Sequence, residues 1–123
     1  MSASNLHDTI KSGDCLFEVD YLDLNDVGYK LVAIEYVVAK VTPTTAVLKT
    51  SRYGATPARH GLTRRVGRVT IGRTGRYQAT AREAWLRYIE TQKQEIEARE
   101  REVERRKAHL EDAYLELGKV VSP

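Results

Sequence analysis

Gly67-Arg68-Val69-Thr70-Ile71-Gly72-Arg73-Thr74 spells G-x-x-x-x-G-R-T, one residue away from a phosphate-binding P-loop. The residue that differs is the lysine that reaches the terminal phosphates, and arginine's wide planar fork is a poor replacement for that compact charge. Gly75 follows at once and no parallel α/β pattern surrounds the segment. Two glycines bracketing a strand and its turn explain the spacing better. His7, His60 and His109 fall in three separate predicted elements, with no H-x-x-x-H and no cysteine beside them, which argues against a metal site. The single cysteine, Cys15, rules out an internal disulfide and fits a reducing compartment. It is expected on the inward face of a strand, as a small core residue rather than a nucleophile. Asp20, Asp23 and Asp26 crowd a turn without calcium-loop spacing and read as a solvated acidic edge. No catalytic constellation emerges. The expectation is a non-enzymatic protein without a cofactor.

The stronger chemical signal is basic. Arg64, Arg65, Arg68, Arg73 and Arg76 fall within thirteen residues, interleaved with Gly67, Gly72 and Gly75 and followed by Tyr77. Arginine presents a planar fork to phosphate oxygens, and glycine lets the backbone come close to them. Tyr53 and Tyr77 have flat faces on which unpaired bases stack. Arg52 and Arg59, just upstream, extend the set. The net charge of +3 conceals a strong segregation. Residues 1–37 carry a net −5, residues 38–82 carry ten bases and no acid, and residues 83–123 carry a net −2. Such asymmetry points to a polyanionic partner, a nucleic acid or a complex that handles one. The competing expectation is internal: the basic segment pairs with the acidic strands of its own domain, which can absorb about half of its charge.

These side chains need elements to position them. Leu6 and Ile10 at i,i+4 behind Ser4, with Gly13 following, predict a short helix. Cys15 to Asp23 alternates with Cys15, Phe17, Val19 and Tyr21 on one face and Leu16, Glu18 and Asp20 on the other, the pattern of a half-buried strand. Asn25, Asp26 and Gly28 supply a turn. Tyr29–Val41 and Ala46–Tyr53 predict two more strands, separated by Thr42-Pro43-Thr44. A loop at 54–63 leads to a strand from Arg64 to Ile71. There Val69 and Ile71 are expected inward and Arg64 and Arg68 outward. Tyr77–Ala79 is a candidate closing strand. Together these predict an α+β chain: a small antiparallel β-sheet or SH3-like barrel at residues 1–79, a helix at 80–118 and a tail at 119–123.

Thr80-Ala81-Arg82-Glu83 has the form of a capping box, and no Gly or Pro interrupts the chain from Ala81 to Leu117. Gly118 is placed for a left-handed C-terminal cap. Ile89, Ile96, Val103, Leu110 and Leu117 recur every seven residues, and the second apolar position of each heptad is filled only near the ends. Four Glu-to-Arg pairs at i,i+4 support the helix: 83–87, 95–99, 97–101 and 102–106. The stripe is expected to pair two copies, or to meet a partner helix, in a weak or antiparallel arrangement.

The passage Ala79-Thr80-Ala81-Arg82-Glu83-Ala84-Trp85, entered from an arginine-rich hairpin, resembles small accessory proteins of bacteriophages and prophages. The resemblance covers residues 36–88 and brings no catalytic residues with it. It implies a task in the host cytoplasm, such as binding and inhibiting a nucleic-acid-handling complex, as anti-CRISPR proteins do. No apolar run reaches the ~20 residues of a membrane span, and the N-terminal stretch lacks a signal peptide's layout. The first expectation is a cytoplasmic, dimeric binder of DNA or RNA. The alternative is an inhibitor or adaptor that binds a host protein.

Overall fold

A computed structural model describes residues 5–24, 28–59 and 61–120. Ser4 as a helix cap, the Asn25-Asp26 turn, His60 and the end of the tail lie outside them. The chain is α+β. A short helix α1 (Leu6–Thr9) precedes strands β1 (Cys15–Leu24), β2 (Gly28–Val41), β3 (Thr45–Tyr53), β4 (Thr56–Pro57) and β5 (Thr63–Gly67), and a single helix α2 (Ala81–Lys119) follows. The strands form one antiparallel sheet in the order β1-β2-β3, with β5 and β4 sharing the far edge of β3. Two compact units result, the first running to Ile89 and the second from Glu90 onward. The first turns of α2 therefore belong with the sheet, and Ala84 there is buried.

The register sorts the paired strand residues onto two faces, because opposed residues share a face and successive ones alternate. The alternation breaks at the shifts between Glu35 and Tyr36 and between Val38 and Lys40, the second of which turns Lys40 to the face opposite Val38. Leu16 on β1, Ile34, Tyr36 and Val38 on β2, Ala46 and Leu48 on β3 and Val66 on β5 build the main core, closed by Ile71 and Tyr77. The opposite face holds Cys15, Phe17, Val37, Val47 and Arg65.

Five expectations are corrected here. Cys15 is exposed, because the neighbouring Leu16 takes the inward position and is wholly buried. The strand expected over Arg64–Ile71 stops at Gly67. Arg68 N–H donates to the Thr44 carbonyl and Ile71 N–H to the Arg68 carbonyl, which winds residues 68–70 into a 3₁₀ turn. That turn leaves Val69 87% exposed while Ile71 is buried, so the two do not share an inward face. Tyr77 and Gln78 form only single bridges, to Ile71 and Phe17, rather than a strand. Gly118 does not cap α2 in the left-handed region: the helix continues to Lys119. With no apolar contact to fix a reversal, the last turn runs on.

The other end of α2 starts as expected, with Glu83 N–H donating to Thr80 Oγ1 at 3.1 Å. Of the four expected i,i+4 pairs, Glu102–Arg106 is formed, alongside Glu102–Arg105 and i,i+3 contacts from Glu104 to Lys107 and Glu116 to Lys119. No described helix is long and apolar enough to cross a membrane.

Residues 72–78 fold back tightly on β1. Phe17 and Gln78 exchange both backbone hydrogen bonds at 2.8 Å, and Gln78 Nε2 donates to the Gly75 carbonyl at 2.7 Å. Gly75 sits so close to the preceding chain that a Cβ there would lie 2.3 Å from the Thr70 carbonyl, whereas one on Gly67 would meet nothing within 4 Å. Gly75→Ala is accordingly expected to cost about 1–3 kcal/mol through overpacking. Gly67→Ala, at an ordinary backbone angle, should be neutral or stabilise by up to about 1 kcal/mol. Urea unfolding of the two variants beside the parent measures both.

Candidate nucleic-acid interface

The arginines divide into two populations, and a single acid makes the division. Glu18, on the core face of β1, is 2% exposed. Tyr36 OH donates to its Oε1 at 2.7 Å. Arg76 Nε lies 2.7 Å from Oε2 as an ion pair, out of line for a hydrogen bond, and Oε2 has no other hydrogen bond. Arg64 Nη1 is 3.8 Å from Oε1 and donates to Tyr77 OH at 2.9 Å, with its guanidinium 5.7 Å from the centre of the Tyr36 ring. The two tyrosine rings meet edge to face at 5.5 Å. Burial, then the bond to Glu18, pushes the Tyr36 hydroxyl well above the ordinary phenol range. The bond to Tyr77 outweighs partial burial and raises the Arg64 guanidinium. The sequence pattern that assigned Glu18 to solvent therefore hid the most consequential carboxylate in the chain.

Arg68 is engaged as well. Its Nη2 pairs with Asp8 of α1 at 2.7 Å, a contact between half-exposed groups worth at most about 1 kcal/mol. Thus Arg64, Arg68 and Arg76 serve the first unit's own acids, and Tyr77, 2% exposed, offers no stacking face. Arg73 is exposed in the turn at a left-handed φ of 45°. Tyr53 is half-buried against the core, and Arg59 is exposed in the loop after β4.

The second population lies on the other face. Lys40 stands opposite Val47, and Val47 opposite Arg65, while Lys49 lies two residues along β3 on the same side. All three cations are exposed, and among the described residues none forms an ion pair. Strand spacing sets their Cα atoms roughly 8–10 Å apart in a triangle around Val47. Arg52, opposite Glu35, continues the row toward β4. Glu35 accepts from Ser51 Oγ at 3.0 Å and bounds the patch on its β1 side, with Cys15 nearby. Partial burial, then the charges of Glu35 and Asp14, raise the Cys15 thiol and keep it protonated at neutral pH. Lys40 and Lys49 were not among the residues singled out from the sequence. Only the register brings them beside Arg65.

Among the described residues no group of three or more His, Cys, Asp or Glu side chains is placed to hold a metal ion. The chain matches no family model, no curated protein and no solved structure. Side-chain geometry is the guide to function.

Tyr36→Phe removes the hydrogen bond that Tyr36 donates to the Glu18 carboxylate and is expected to cost about 1.5–3 kcal/mol at neutral pH, the range for bonds to charged groups. Because the folded-state value of Tyr36 is raised, its contribution is complete below about pH 10, where an unfolded tyrosine titrates, and is lost as pH rises further. Thermal melts from pH 8 upward should show the parent losing stability from about pH 10, and Tyr36→Phe losing it less steeply.

Proposed function

We propose that the protein binds the phosphate backbone of a nucleic acid through the sheet face carrying Lys40, Lys49 and Arg65, and that α2 joins two copies through its apolar stripe. The observation that carries this reading is the triangle of cations. Three exposed bases share one face without an ion pair among the described residues, while neighbouring arginines are committed to Glu18 and Asp8. An exposed cation without a partner gives up little to meet a phosphate, whereas Arg76 would have to leave Glu18. Contact to phosphates positions a protein and carries little sequence information, so the expected binding is sequence-tolerant. No catalytic step and no cofactor enters this reading, and its setting is the cytoplasm.

A second reading is an inhibitor or adaptor, in the manner of phage accessory proteins, that binds a host protein complex. It draws on the exposed apolar residues of α2, among them Ile96 at 55% and Leu115 at 66%. The basic face favours the first.

Three contacts to duplex phosphates give a slope near −2.7 for log affinity against log salt. Fluorescence anisotropy with labelled single- and double-stranded oligonucleotides should show that salt dependence. Replacing Lys40, Lys49 and Arg65 by alanine should remove most binding, while Arg68→Ala should leave it nearly intact. No binding at low salt, or binding indifferent to the triple replacement, refutes this role for the face.

A further inference from the structure

We infer that α2 pairs in parallel and in register with α2 of a second copy, and that the charges beside the stripe dictate this orientation. The inference deepens the reading that α2 joins two copies. In the second unit Ile96, Val103, Leu110 and Leu117 project from one side of the helix, each about half exposed or more. When they, with Ile89 before them, are taken as the d positions of heptads, the neighbouring e positions are Glu90, Glu97, Glu104 and Glu111, and Gly118 after Leu117. The g positions on the other flank are Gln92, Arg99, Arg106 and Ala113. One flank is an acidic rail and the other is basic at its centre.

In a parallel coiled coil each g residue faces the e residue five places on in its partner. Arg99 then meets Glu104 of the second copy, and Arg106 meets Glu111, each twice by symmetry. An antiparallel pair sets e against e and g against g. On this stripe that opposes glutamate to glutamate along one side and arginine to arginine along the other. The charges on these flanks favour the parallel form over the antiparallel one.

The helix surface supplies a seat for the arrangement. Ile96, Arg99, Glu100, Val103 and Glu104 frame a shallow apolar hollow. The first four of these, at d, g, a and d, are the set that an a-position side chain of the facing helix enters. The entering residue is the second copy's Glu100, which arrives beside Arg99. Lys93 and Lys107 occupy the adjacent a layers, where their stems cover apolar surface and their ammonium groups reach water. Like charges across those layers, and across the Glu100 layer between them, hold the pairing to modest strength, with dissociation expected at micromolar concentrations.

The test uses the full chain. Sedimentation over a micromolar concentration range should show a monomer–dimer equilibrium, abolished by Val103→Asp. The double variants R99E/R106E and E104R/E111R, which change only exposed side chains, should each be monomeric alone and form a heterodimer when mixed. Orientation is read with Lys107→Cys in a Cys15→Ser background and a short bis-maleimide. Parallel register puts the two thiols in one layer and gives a covalent dimer. Antiparallel pairing that overlaps the whole of α2 sets residue 107 opposite residue 96, which separates the thiols by about 16 Å at 1.5 Å per residue and prevents the bridge. A monomer at every concentration, a dimer indifferent to Val103→Asp, or a dimer that forms no bridge overturns the inference. None of these measurements involves nucleic acid, so failure here is distinct from failure of the basic face to bind.

Discussion

A carboxylate out of water is the constraint on which the sheet unit depends. Glu18 is almost wholly buried on the core face of β1, where an unpaired charge would cost several kcal/mol. It is tolerated because Tyr36 of β2 donates to it, Arg76 of the returning turn lies against it, and Arg64 of β5 stands within reach. These partners come from three separate parts of the chain. Satisfying one acid therefore fixes the register of β1 on β2, the approach of β5 and the path of residues 72–78 together. The aromatic pair Tyr36 and Tyr77 forms the lid of this arrangement, and Arg64 ties its two rings to one cation.

That requirement changes the meaning of the basic segment. A block of ten bases without an acid suggests one continuous binding surface. Instead Glu18 and Asp8 draw three of its arginines inward or across to α1. What is left for a partner is set by geometry rather than by crowding along the chain. Lys40, Lys49 and Arg65 are twenty-five residues apart in sequence at their extremes and neighbours across β2, β3 and β5. Counting charge along the chain does not show which cations share a face, and the register does.

Much of the fold was legible because period and punctuation are local. The strands at 15–24, 28–41 and 45–53 and the start of α2 at Thr80 all fall within a residue or two of their sequence signals. The face of β1 was not legible. Cys15, Phe17, Val19 and Tyr21 look like an inward set; Val19 is buried, but Cys15 and Tyr21 are exposed and the fold turns Leu16 and Glu18 to the core. An alternating strand states that it has two faces and not which of them a partner will cover. Val69 failed for a related reason: hydrogen bonds to Thr44 and within 68–70 replaced the strand that its alternation implied. Of the candidate site, Arg65 was visible from the sequence while Lys40 and Lys49 were not, since their proximity exists only across strands.

The helix and the sheet face solve different problems with similar residues. On the sheet, cations are kept apart from acids by register, so their field reaches outward from one face. Along α2, acids and bases alternate closely enough to pair within the helix, as Glu102 does with Arg105 and Arg106, and little net field results. Such short-range pairing screens the helix against a distant polyanion while leaving the apolar stripe open to a close neighbour. The chain's +3 is thus a sum over segments of opposite charge, with the bases gathered at residues 38–82 and the helix close to balance.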